Sequence, residues 1–151
     1  MSDRRHEKAV GKVTTARAEV LYERYKDALR RGHVAAMRGD IDEALAAYQE
    51  ASRIAPQRPM ARASAGLALA RAGRAVEALP HFDAAVRLAP HDEATRAGRA
   101  EALASLGRNA EAAEDLDVVV DVRERADRRA EALDAAARAL ELAEARRRRR
   151  A

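Results

Sequence analysis

Apolar and small residues return along this chain at helical spacing, in blocks that resemble one another. Leu45, Tyr48, Ala51 and Ile54 recur every three or four positions, and Leu79, Phe82, Ala85 and Val86 do so again further on. That spacing marks amphipathic helices with one buried face. Glycine stands at 39, 73 and 107, where a helix must stop, since Gly adopts the left-handed conformation beyond a C-terminus at little cost. Asp40 with Glu43 reads as a capping box opening the next helix, and Asn109 as the cap of its counterpart in the third block. Pro59 sits at a permitted first-turn position, and Pro56 and Pro90 close the helices before them. Pro80 falls inside a helix, where its ring is expected to introduce a slight kink.

The blocks share one period, 34 residues, without a gap. The step links Gly39, Gly73 and Gly107; Glu43, Glu77 and Glu111; Ala44, Ala78 and Ala112; Tyr48, Phe82 and Leu116; Ala51, Ala85 and Val119; and Ile54, Leu88 and Val122. Gly32, Gly66 and Ala100 follow it too, and these small residues let paired helices approach closely. A single helix–turn–helix unit of this size has too little core to fold alone and must stack on its neighbours. The expected architecture is all-α, about seven helices. Residues 1–14 are read as a flexible basic tail. Residues 15–126 hold three repeats (25–58, 59–92 and 93–126), with the first helix extended backwards by the stripe Val20, Leu21, Tyr25, Ala28 and Leu29. Residues 127–151 are expected to form one more amphipathic helix, with Leu133 and Leu140 among alanines and an Arg-rich end, capping the last repeat. The competing reading of that helix is a dimerising or partner-binding one.

The pattern resembles the tetratricopeptide repeat. Gly32, Ala44, Tyr48, Ala51 and Pro56 carry the resemblance in the first copy, and Gly66, Ala78, Phe82, Ala85 and Pro90 in the second. Ala100, Ala112, Leu116 and Val119 carry it in the third, where Glu124 replaces the Pro. The first family aromatic of helix A is missing, with Ala28, Arg62 and Arg96 in its place. The resemblance implies a right-handed superhelical stack whose A helices line a concave groove.

Composition narrows the chemistry. Aromatic residues make up only 3% of the 151, so the core is thin per residue and stability is expected from stacking and helix propensity. There is no Cys, which removes disulfides, thiolate metal sites and Cys nucleophiles. His6, His33, His81 and His91 lack the spacing of a two-histidine metal site, no phosphate-binding glycine motif is present, and Asp115 and Asp117 point to different sides of a helix. An enzyme is not expected, nor a cofactor. No apolar run is long enough for a membrane span, and a cytoplasmic location is the default reading. The net charge of +4 is concentrated in basic ends, Arg4, Arg5, Lys8 and Lys12 at one and Arg146–Arg150 at the other. These could touch a polyanion, but stacking platforms for bases are nearly absent, so nucleic acid is the alternative rather than the expected partner.

The expected function is that of a protein-interaction scaffold. By the resemblance, the groove is lined by Lys26, Leu29, Arg30, His33, Ala36 and Met37; by Met60, Ala63, Ser64, Leu67, Ala70 and Arg71; and by Ala94, Ala97, Gly98, Glu101, Ala104 and Ser105. Chaperone adaptors of the family grip a C-terminal carboxylate with Lys and Asn. Leu29, His33, Ser64, Ala94 and Gly98 stand at those places, so the clamp is not expected here. Methionines among small residues suit an apolar or amphipathic peptide, such as a helix. Lys26, Arg30, His33 and Arg71 are expected towards one end of the channel and Glu101 towards the other. The ligand is a protein or peptide, and a homodimer through the C-terminal helix is the self-association this reading allows.

Overall fold

The computed structural model describes residues 3–150. They form α1 (Asp3–Arg38), α2 (Ile41–Ile54), α3 (Met60–Arg71), α4 (Ala75–Leu88), α5 (Glu93–Ser105) and α6 (Asn109–Arg150), with no strand among the described residues. Helices pair as α1 with α2, α3 with α4 and α5 with α6. The pairs stack through α2 on α3 and α4 on α5, while α1 touches α3 and α3 touches α5 along one side. The result is the all-α repeat stack that the 34-residue period requires.

Each hairpin closes in the same way. Gly39, Gly73 and Gly107 have φ of +83°, +77° and +76°, the left-handed region that costs a side chain-free residue least. The amide that follows each glycine then donates back five residues, Asp40 to the Ala35 carbonyl, Arg74 to Leu69 and Arg108 to Leu103, each at 2.9 Å. This closure replaces the expected capping box. The Asp40 side chain makes no cap hydrogen bond, because its backbone is already fixed by the glycine turn. In the later units Arg74 pairs with Glu77 and Arg108 with Glu111 across the same first turn. Asn109 is the first residue of α6, so it is not the cap that its side chain suggested. A side-chain cap is present at α5, where Asp92 accepts from the Thr95 amide at 2.9 Å.

The core is built from rings set into notches of small residues. Phe82 is buried against both flanking A helices: a Cβ on Gly66 would lie 3.0 Å from the ring, and one on Gly98 only 2.9 Å. Gly32 lies still closer beneath Tyr48, 2.5 Å by the same measure. Ala44, Ala51, Ala78 and Ala85 are fully buried and let the helices close around these rings. Burying one such side chain stabilises by about 1.5–3 kcal/mol, several times the yield of an Ala methyl. Pro80 is accommodated within α4. Its ring leaves the Val76 carbonyl without a helical donor, and Val76 is exposed, so water can serve that oxygen.

The ends differ from expectation. α1 begins at Asp3, where a tail was expected as far as residue 14. Six helices are present among the described residues rather than seven, because α6 runs unbroken for 42 residues, about 63 Å at 1.5 Å per residue. The stretch expected to fold back as a cap continues the helix instead, past Glu124, where Pro56 and Pro90 end the earlier B helices. Nothing in that stretch breaks a helix, and Asp121–Arg125, Glu124–Arg128 and Asp134–Arg138 pair at helical spacing along it. Such pairs add a few tenths of a kcal/mol each to a solvated helix. Leu116, at the Phe82 position, is half exposed because no helix follows to cover it. Phe82→Ala is therefore expected to cost about 3–5 kcal/mol in urea unfolding, and Leu116→Ala much less, although both occupy the same place in the repeat.

Candidate ligand-binding site on the concave face

The side of the stack along which α1, α3 and α5 lie holds three adjoining hollows. The first, about 600 Å³, lies between α1 and α3 and is lined by His33, Ala36, Met37, Tyr48, Ser64, Leu67, Ala68 and Arg71. The second, about 440 Å³, lies between α3 and α5, with Leu67, Ala70, Arg71, Ala94, Ala97, Gly98, Glu101 and Ser105. The third, about 320 Å³, is lined by Met60, Ala63, Ser64, Leu67, Phe82, Ala94, Thr95 and Gly98. Leu67 borders all three. The walls are Ala, Gly and Ser where an ordinary helix pair would carry larger side chains, which is why the hollows exist. Met37 and Met60 stand at the edges, 88% and 56% exposed. His33 and Ser64 are 3.2 Å apart and bridge α1 to α3 across the first hollow.

The hollows bring together His33, Met37, Met60, Ala63, Ser64, Leu67, Arg71, Ala94, Ala97 and Glu101. Four residues named from the sequence lie elsewhere, Ala104 among them, which is exposed and lines none of the three. Leu29 is buried in the first core cluster, among side chains of α1, α2 and α3. Lys26 pairs with Glu23 at 2.8 Å and lies over the Tyr22 ring at 4.9 Å. Arg30 leans on Asp27 at 3.4 Å, beside a separate shallow depression with Arg24 and Glu50. The expected separation of charge along the channel is also absent, since Arg71 and Glu101 line the same hollow.

Sequence reasoning missed two features. A larger hollow, about 710 Å³, lies between α2 and α4 over α3, lined by Tyr48, Gln49, Arg53, Ala61, Arg62, Pro80 and His81. Partial burial there pushes the His81 imidazole pKa down. The second feature is a buried ion cluster. Asp115 of α6, 1% exposed, accepts from Arg96 at 2.7 Å and from two nitrogens of Arg99 at 2.7 Å, and Arg99 also reaches Asp83 of α4 at 2.9 Å. Burial pushes the Asp115 carboxyl up, but hydrogen bonds from Arg99 and Arg96 outweigh it and hold it below the usual carboxylate range. The signal was available: Arg99 and Asp83 are 16 residues apart, and so are Asp115 and Arg99. Much of the chain's arginine is accordingly spent on internal carboxylates, with Arg31, Arg74, Arg108 and Arg123 paired to Glu50, Glu77, Glu111 and Glu93.

The arrangement defines a module of stacked helical hairpins. Comparison with solved structures specifies which repeat. The TPR2B domain of yeast Sti1, solved in complex with an Hsp70 peptide, aligns with a TM-score of 0.65 and 21% identity, over 74% of this chain and 90% of that one. The first such domain of RPAP3 (Spaghetti), bound to the HSP90 peptide SRMEEVD, gives 0.63 and 21%, over 66% and 79%. A structure of MamA gives 0.60 and 24%, over 68% and 59%. The chain has the tetratricopeptide-repeat fold. No protein-family model and no curated protein sequence matches it.

The ion cluster makes a measurable prediction. A carboxyl with a lowered folded-state pKa stabilises above its unfolded value, about 3.9, and that contribution is lost as pH falls through the folded value. Asp115→Asn is expected to cost about 3 kcal/mol at neutral pH, leaving two arginines without their shared counter-ion. The variant should then lose less further stability than the wild type on acidification below about pH 4, as followed by thermal melts.

Proposed function

We propose that the protein is an interaction scaffold that holds an apolar or amphipathic peptide, entering as a helix, along the concave face. The observation that supports this is the convergence of three small-walled hollows on Leu67, with exposed thioethers at Met37 and Met60 on their margins. A ridge of two or three apolar side chains at helical spacing would drop into such hollows, and methionine would mould to it. Two of the solved structures named above, those of Sti1 and RPAP3, carry Hsp70 and HSP90 peptides, which supports a peptide as the class of ligand. The ligand end group is different here. Ser64, Ala94 and Gly98 carry no charge to offer a terminal carboxylate, and Leu29 is core, so the affinity rests on apolar burial. Arg71 and Glu101, sharing one hollow, would select a ligand with one acid and one base close together rather than a run of acids. No helix among the described residues is long and apolar enough to cross a membrane, and the scaffold reading needs none.

The test is a pair of substitutions at the hollows, Met60 at an exposed margin and Leu67 half-buried in the wall. Met60→Glu with Leu67→Glu should leave the helical circular-dichroism spectrum unchanged and abolish capture of the ligand recovered by the wild type. Unfolding of the double variant would place these side chains in the core. Undiminished capture by a folded variant would move the site off the concave face.

A further inference from the structure

The third repeat ends in a face that the first two keep covered. In α4, Phe82 and Val86 are 1% and 8% exposed beneath α5; one period later in α6, Leu116 and Val120 are 48% and 53% exposed. An acid repeats with them. Asp83 accepts from Arg99 across the α4–α5 boundary, whereas its counterpart Asp117 is exposed and has no ion pair among the described residues. α6 packs on α5 alone. It therefore presents, uncovered, the two apolar side chains and the carboxylate with which α4 holds the next helix.

The helix that would fit is also present, and it too is uncovered. In α5 the strip that meets α4 carries Gly98 against Phe82 and Arg99 against Asp83, between Thr95 and Leu103. In α1, Val13, Ala16, Arg17, Val20 and Leu21 have the same spacing as Thr95, Gly98, Arg99, Ala102 and Leu103. Arg17-Ala18-Glu19 repeats Arg99-Ala100-Glu101 letter for letter. Yet Thr95, Ala100, Ala102 and Leu103 are buried, while Val13 and Val20 are 70% and 59% exposed and Arg17 makes no ion pair among the described residues. Within one molecule α1 touches only α2 and α3, so this strip does not meet its own α6. The same letters recur once more at Arg129–Leu133. There Arg125 and Arg128 occupy the places of Thr95 and Gly98, and long charged side chains do not suit a seat against Leu116.

We propose that residues 13–21 of α1 in one copy lie on the uncovered face of α6 in a second copy, as α5 lies on α4. Arg17 then faces the Asp117 carboxylate, Ala16 sits over Leu116, and Val13 and Val20 cover Val120 and Ala113. The contact is heterologous, since it joins two different surfaces, and copies add head to tail. It lies apart from the three concave hollows, so it stands or falls independently of the peptide reading.

The experiment uses the full chain in sedimentation velocity and light scattering. Raising the concentration roughly a hundredfold should move the wild type from 16.5 kDa towards higher mass, by mass action. Two exposed-site variants each remove one half of the contact: Leu116→Glu spoils the α6 face, and Ala16→Glu spoils the α1 strip. Each alone should stay at 16.5 kDa with an unchanged helical spectrum. Mixed, they should form a complex of two chains and stop there, because only one intact joint is available. Asp117→Arg serves in place of Leu116→Glu should the latter unfold, and adding Arg17→Asp to it should restore assembly. A wild type that remains monomeric, single variants that still assemble, or a mixture that stays at one chain would each overturn the proposal. So would association that survives both lesions in one chain, which would point to the exposed length of α6.

Discussion

Everything in this stack depends on one steric arrangement, a ring from a B helix seated between two A helices that have no side chain at the point of contact. Phe82 fills that seat completely, with Gly66 on one side and Gly98 on the other. The ring sets the separation of three helices at once, so the second and third repeats cannot move independently. The interior is otherwise largely alanine, which brings helices close but removes little surface from water per residue. A thin core of this kind tolerates little loss, and the large buried side chains carry more than their numerical share.

The Arg96–Asp115–Arg99–Asp83 cluster stiffens the same joint by a different force. It crosses from α4 through α5 to α6, and its geometry is bidentate at Asp115, where Arg99 offers two nitrogens. Such a cluster adds directional specificity to contacts that apolar packing alone would leave free to slide. Directional pairing matters most where side chains are short, and alanine helices have few other features by which one register differs from the next.

Much of this was legible in the sequence. Tyr48, Phe82 and the glycines at 39, 73 and 107 fixed the period, and a period fixes the pairing of helices because each unit must bury its face on the next. The groove was partly legible, since position within the repeat placed His33, Ser64, Leu67 and Glu101 on one side. Leu29 was misplaced because a repeat position says which way a helix faces, and not how deeply its partner covers it. The end of α6 was misjudged for a related reason: a cap needs a turn, and the alanine-rich stretch after Val122 offers none. The ion cluster was overlooked because its members are distant in sequence and each reads alone as an ordinary surface charge.

Tyr48 belongs to both sides of the molecule. Its ring borders the hollow between α1 and α3 and also the larger one between α2 and α4, so a single aromatic plane is the partition between front and back. Space gained on one side by tilting that plane is space taken from the other. Gly32, pressed against the ring edge, limits how far it can turn. The two faces of the first repeat thus share one wall, and a smaller side chain at Tyr48 would join the two hollows into one.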